Sequence, residues 1–255
     1  GYEISFPEKI QKLVLDPLPT GTYLVGTGGY FPTIDSAFKK LSIDGIAGPV
    51  TLELIDNLYS APTTEYGFIL NGPIPGAGPN SRVTIKPATN KNVTLEGNGR
   101  FVINFWDISY LNFDGVSKSG STTLTVHSTY NSQFDVNRCV GLFNNSDHNT
   151  IQNLILISED IYRYGVPLVV AARQNSLFAP DSNLIQNNFI KKGGGSIYLT
   201  GLFAGGNVRP TGNIVRENLI GSETDSLINW GIQLEKCKNT LVENNIGQNL
   251  KSQNS

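Results

Sequence analysis

Asn149-Thr-Ile151-Gln-Asn153-Leu-Ile-Leu156, Asn183-Leu-Ile185-Gln-Asn187-Asn188-Phe-Ile190, Asn213-Ile-Val215-Arg-Glu217-Asn218-Leu-Ile220 and Asn239-Thr-Leu241-Val-Glu243-Asn244-Asn-Ile246 are four versions of one eight-residue phrase. Their starts lie 34, 30 and 26 residues apart. Each opens on Asn, carries a branched apolar residue two places on, and closes on an apolar residue. A repeat of this length and β-branched character predicts a stacked solenoid. Helical repeats would need apolar residues at i, i+3, i+4 and i+7 over ten or more positions. Here the apolar runs are short and bounded by Asn, Gly and Ser, which punctuate strands.

A second strand, often opened by glycine, lies between phrases: Gly165-Val-Pro-Leu-Val-Val170, Gly195-Ser-Ile-Tyr-Leu199 and Gly231-Ile-Gln-Leu234. Two or more strands within roughly 22 to 30 residues make one turn of a coil, and coils stack about 4.8 Å apart. Like side chains then fall into columns. Asn tolerates the left-handed conformation at a tight corner, and its amide bonds its counterparts above and below. Asn149, Asn183, Asn213 and Asn239 are expected to form one ladder, and Asn188, Asn218 and Asn244 a second. Looser coils precede them at Arg82–Lys86, Asn92–Glu96, Phe101–Ile103 and Tyr110–Val116. The polar, Thr-rich stretch 121–137 reads as a strand followed by an excursion.

Residues 30–60 read as a cap over the first coil, whose open edge would otherwise pair with other chains. Thr33 is the expected helix N-cap, with Ile34, Ala37, Phe38 and Leu41 on one face. Gly45 and Gly48-Pro49 end that helix, and Val50–Leu54 alternates as a strand. Gly26-Thr-Gly28-Gly29 lacks the Lys and spacing of a phosphate-binding loop. The expected organisation is a lead-in over 1–20 and a single domain over 21–255, with the cap at about 30–48 and coils over about 50–250. The chain starts at Gly1 and has no Met. It reads as a processed form or a piece of a longer protein.

The run Gly21–Phe38, then Gly48-Pro-Val-Thr-Leu-Glu-Leu54 and Asp56-Asn-Leu-Tyr59, resembles the capped opening of secreted bacterial right-handed parallel β-helix proteins, pectate-lyase-like in fold. The Asn-Thr-Ile-Gln-Asn phrases extend the resemblance over roughly residues 21–250. It implies an all-β right-handed parallel β-helix with a short N-terminal amphipathic capping helix, secreted or at the cell surface. That family holds polysaccharide lyases, glycoside hydrolases, pectin esterases, phage tail spikes and non-catalytic surface modules, so fold alone does not choose among them.

Only 16% of residues are charged and the net charge is −2, which offers no basic face for nucleic acid. No apolar run reaches the length needed to insert into a membrane. Cys139 and Cys237 fall about three repeats apart, on the order of 14 Å along the axis. A disulfide reaches only about 7 Å between α-carbons, so both are expected to be free, buried thiols.

A lyase of the resembled class needs carboxylates around Ca²⁺ and an Arg or Lys as base. The local candidates for that alternative are Glu159, Asp160, Arg163 and Arg173, acting on an acidic polysaccharide. No recurring Asp pair offers the carboxylate spacing of an inverting hydrolase. Asp147-His148 sits in a corner, where turn chemistry accounts for it. With His127 the only other histidine, no zinc spacing or Ser-His-Asp triad can be assembled. Trp106, Tyr110, Tyr162, Tyr164, Tyr198 and Trp230 are candidates for stacking on sugar rings, or for packing. Asn92-Val-Thr94 and Asn144-Asn-Ser146 match the glycosylation pattern, one that also arises by chance.

The reading that follows is a non-catalytic surface module, adhesin-like or structural. It expects no metal or cofactor, and as partners a polysaccharide or other surface subunits. Self-assembly is included, because the polar end 248–255 shows no closing cap and the coils are expected to continue or to abut another subunit. The enzyme stands as the alternative, with Ca²⁺ as its cofactor.

Overall fold

The computed structural model describes residues 15–115, 122–132, 135–160, 162, 165–172, 176–201, 208–222 and 230–248. Within them the chain winds as a right-handed parallel β-helix, three strands to a coil. The second coil runs Val50–Leu54, Leu58–Ser60 and Phe68–Asn71; the fifth runs Thr150–Gln152, Leu154–Ser158 and Leu168–Ala171. First strands of all coils form an eight-stranded sheet, second strands a seven-stranded sheet, and third strands a six-stranded sheet. Corresponding residues of neighbouring coils lie between 27 and 38 positions apart, so the longest coils exceed the expected length.

Alternation explains why these short segments become strands. In the first sheet Leu52, Ile85, Phe113, Ile151, Ile185 and Val215 stack in register and are buried. In the second, Tyr59, Leu95, Val126, Leu156, Ile190 and Ile220 do the same. In the third, Leu70, Phe105, Leu142, Val170 and Leu199 line up, with Leu234 at the exposed end. Each buried side chain of this kind is worth about 1.5 to 3 kcal/mol of transfer free energy. Of the intervening, outward positions of the first sheet, Glu53, Lys86, Asp114, Gln152, Gln186, Arg216 and Glu243 form one polar column. Their side chains join into a ladder, Gln152 donating to Asp114, Gln186 to Gln152 and Arg216 to Gln186, at 2.7 to 3.0 Å. The register of Lys86 opposite Asp114 follows from Ile85 opposite Phe113.

The expected Asn ladders exist in a corrected register. The Asn149 backbone N–H donates to Asn183 Oδ1 at 2.9 Å, and the Asn183 N–H to Asn213 Oδ1 at 2.9 Å. Asn149 Oδ1 in turn accepts from Leu111 N. Asn239 is not the fourth rung. Ile214 pairs with Leu241, so Thr240 stands next to Asn213 in the column. In the second ladder Leu154 N donates to Asn188 Oδ1, Asn188 N to Asn218 Oδ1, and Asn218 N to Asn245 Oδ1. The third rung is therefore Asn245 and not Asn244.

The physical reason is that two demands merged in the sequence reading fall on adjacent residues. Left-handed backbone occurs at His148, Ser182, Gly212 and Asn239, one position before the first buried column. It recurs at Asn153, Asn187, Glu217 and Asn244, one position before the second. Asn suits either place, by tolerating positive φ at the corner or by hydrogen bonding inside it. In the earlier coils both buried columns are aliphatic, through Val50, Val83 and Leu111, and through Val93, Leu124 and Leu154.

The cap forms as its sequence dictates. A helix spans Ile34–Ile43, with a capping box in which Thr33 Oγ1 accepts from Ser36 N and Ser36 Oγ from Thr33 N. It buries Ile34, Ala37, Phe38 and Leu41 over the barrel end, against Val25, Leu52 and Leu54. The fold begins inside the expected lead-in, since Leu18 is buried and bridges to Ile46; residues 1–14 lie outside the described residues. At the other end Val242 is 41% exposed although its inward counterpart Val215 is buried, and the outward Leu241 and Ile246 are 47% and 59% exposed. Both cysteines are free: Cys139 is buried, its thiol pushed up to about 12 by burial, whereas Cys237 is only half-buried.

Candidate functional site

The outer face of the third sheet departs from simple alternation. Phe101–Trp106, Arg138–Phe143 and Leu168–Ala171 are buried on both sides along nearly their whole length, the pattern of a covered sheet. On the outside Phe101, Phe143, Val169 and Ala171 form a second apolar cluster, with Tyr66, Trp106 and Tyr198 half-buried against it. Phe143 meets Phe101 and Trp106 edge-on at centroid distances of 5.6 and 5.8 Å, and Tyr66 meets Trp106 at 5.7 Å. Further along the sheet Tyr198 meets Trp230 at 6.0 Å and donates from its hydroxyl to Glu235 at 2.7 Å.

Two glycines make this ledge. A Cβ on Gly141 would lie 2.4 Å from the Phe143 ring and 2.5 Å from Asn104 Oδ1, so its absence gives the ring its seat. Gly67 has φ +59°, and a Cβ there would meet Val102 O at 2.3 Å. The Tyr66 segment thus presses directly on the strand, held by Asn104 Nδ2 donating to Tyr66 O at 2.7 Å.

Of the aromatic candidates, Trp106, Tyr198 and Trp230 belong to this face. Tyr110 instead stacks on His148 in a corner, at 5.2 Å and 12°. There Asp147 Oδ1 accepts from Asp181 N, a turn role for the Asp-His pair. Tyr162 is partly exposed beside Asp160, and Tyr164 lies outside the described residues.

The structure separates two of the lyase candidates. Glu159 is on the outside, where its carboxylate accepts from Lys192 and lies 3.2 Å from His127 Nε2. Asp160 is buried: its Oδ1 accepts from Tyr162 N at 2.8 Å, and burial raises its pKa although the Arg138 charge opposes this. Adjacent in sequence, they point into different surroundings and do not form the oxygen cage that Ca²⁺ requires. Arg163 and Arg173 lie outside the described residues. No group of three His, Cys, Asp or Glu among the described residues is arranged to hold a metal.

The row around Glu159 was not anticipated. Glu96, His127, Glu159 and Lys192 come from four successive coils and join side by side, with His127 Nδ1 3.2 Å from Glu96 Oε2. Their spacings of 31 to 33 residues equal one coil, and that periodicity was the available signal. Lys192 and then His127 hold the Glu159 carboxyl below its ordinary value, against the opposing effect of burial. A depressed carboxyl contributes stability above its unfolded pKa and loses it as pH falls through the folded one. Glu159→Gln is therefore expected to lower stability at neutral pH by less than about 1 kcal/mol, since the group is partly exposed. The difference should vanish in acid below the carboxylate range; urea unfolding of both chains across pH checks this.

A polar pocket of about 340 Å³ opens where the second sheet turns into the third, around Arg100. Arg138 is buried in the same outer face, and burial pushes its guanidinium down to about 10 despite nearby Tyr198, Asp160 and Asp135. No helix among the described residues is long and apolar enough to cross a membrane. Comparison of the chain with protein-family models, curated proteins and solved structures finds no match. The architecture defines a parallel β-helix.

Proposed function

We propose that this chain is a non-catalytic, extracellular β-helix module of the pectate-lyase-like branch, adhesin-like or structural at a bacterial surface, which binds glycan along the outer face of its third sheet. The observation that carries this reading is the ledge of half-buried Tyr66, Trp106, Tyr198 and Trp230. Aromatic faces with one polar handle bind sugar rings by stacking and hydrogen bonding. The commitment of Glu159 to Lys192 and His127 supports a non-catalytic role for that carboxylate.

The test is to incubate the chain with insoluble and soluble polysaccharides, with and without Ca²⁺, and to follow both binding and release of sugar ends. Binding without release, weakened about tenfold or more by Trp106→Ala, is expected from the loss of one stacking platform. Release of unsaturated ends would overturn it. The second reading is a lyase acting on acidic polysaccharide. It is favoured by the Glu96–His127–Glu159 row, where an imidazole lies between two carboxylates. Ca²⁺-dependent release abolished by His127→Ala would establish it.

A further inference from the structure

We infer that the pocket around Arg100 is the specificity subsite of the aromatic ledge, built to take a neutral sugar through two vicinal hydroxyls. This rests on the glycan-binding reading of that ledge. Glu65 and Arg100 are the chain neighbours of Tyr66 and Phe101, whose rings stack at 6.0 Å and 23°. The pocket therefore opens at the end of the ledge, and a sugar chain lying on the rings reaches it without leaving the surface.

The polar groups in it are ordered by one another. Arg100 Nε donates to Asp135 Oδ2 at 2.5 Å, and an Nη donates to Glu65 Oε1 at 2.5 Å. Asp135 is fixed in turn by Val136 N, donating to Oδ1 at 2.8 Å, and by the Tyr130 hydroxyl at 3.3 Å from Oδ2. Exposed ion pairs of this kind contribute little to folding, so stability is a weak reason for the arrangement. The Arg100 and Glu65 side chains are 40% and 42% exposed.

A guanidinium has five N–H donors, and the bonds to Asp135 and Glu65 use two of them. A carboxylate accepts at two oxygens, and Glu65 engages Arg100 through one. The site thus offers a donor and an acceptor side by side in a held geometry. Two neighbouring sugar hydroxyls match it, one accepting from Arg100 and the other donating to Glu65. Thr64 and Asn98 add further hydrogen-bonding groups to the lining. Glu65, Asp135 and Arg100 sum to −1, which sets a uronate or sulfated sugar at a disadvantage. A volume of about 340 Å³ falls within the range of small-molecule sites. Asp135 is a positioning residue, and Arg100 and Glu65 would touch the ligand.

The experiment is calorimetric titration of the intact chain with mannan, xylan and β-glucan oligosaccharides, and with oligogalacturonate of the same length. At least one neutral series should bind about tenfold more tightly than oligogalacturonate, and Glu65→Gln and Arg100→Gln should each weaken it about tenfold, as expected for hydrogen bonds to charged groups. Unchanged circular dichroism and melting of the variants show that the fold is kept. Tighter binding of oligogalacturonate would overturn the inference. So would neutral binding that survives Glu65→Gln and Arg100→Gln within twofold but is lost in Trp106→Ala, an outcome that leaves the ledge standing without its subsite. Binding of none of the four probes removes the glycan-binding reading itself, and the inference with it.

Discussion

Asn183→Ala is expected to destabilise the chain by about 3 to 5 kcal/mol, and Asn239→Ala by only about 1 kcal/mol. The two residues open equivalent phrases in the sequence, yet the coil uses them differently. Asn183 is buried, accepts from Asn149 N, and donates from Nδ2 to Ser146 O at 2.8 Å and to Asn213 Oδ1 at 3.0 Å. Truncation leaves the Asn149 N–H and Ser146 O without partners in the interior, each costing about 1 to 3 kcal/mol, and Asn213 Oδ1 with only the Asn183 backbone N–H. Asn239 is exposed at φ +51°, and alanine there loses only tolerance of the left-handed region. Urea midpoints at constant m-value measure the difference; equal losses would mean that Asn239 shares the ladder role.

Phe113→Ala carries a comparable penalty, about 3 to 5 kcal/mol, whereas Val242→Ala in the same column should cost less than about 1 kcal/mol. Phe113 is fully buried between Ile85 and Ile151 and meets Phe105 edge-on at 5.5 Å. Its removal leaves a void walled on both sides by stacked coils that cannot collapse without breaking register. Val242 holds the equivalent inward position on the last described coil but is 41% exposed. Thermal melting of both variants distinguishes position along the axis from position within the coil. Because each coil contacts mainly its neighbours, hydrogen exchange should place the Phe113→Ala loss in the coils flanking residue 113.

Much of the fold was legible because the physical constraint repeats with the coil. Ile151, Ile185 and Val215 announce a column, and Thr33 with Ile34, Ala37, Phe38 and Leu41 announces the cap. The register of the last phrase was not legible. Asn239 and Asn244 satisfy the letter pattern, but the buried amide sits one residue on from each corner, at positions held by Thr240 and Asn245. Sequence similarity between phrases cannot separate a residue chosen for positive φ from one chosen for an internal hydrogen bond.

The candidate site was legible only in fragments. Trp106, Tyr198 and Trp230 could be named as rings, but Tyr66 joins them through a turn that Gly67 presses on the sheet. The continuation of Phe101-Val-Ile103 through Asn104-Phe-Trp106 breaks alternation because both faces are covered. Glu65, Arg100 and Asp135 meet from segments 35 residues apart, and nothing in any one segment marks them. Glu159 and Asp160 looked paired because they are adjacent in sequence, yet one joins an exposed ion-pair row and the other is buried near Arg138.

Cross-linking across two neighbouring coils tests the stacking register most directly. Arg216 faces Glu243 in parallel register on the outer side of the first sheet, where partner α-carbons lie about 4.8 Å apart, within disulfide reach. In a chain carrying Cys139→Ala and Cys237→Ala, Arg216→Cys with Glu243→Cys is expected to form a disulfide under mild oxidation. Arg216→Cys with Val242→Cys, the pair implied by aligning Asn239 with Asn213, should stay reduced because residue 242 points toward the core axis. Oxidation of the second pair and not the first would contradict the register on which this account of the coil rests.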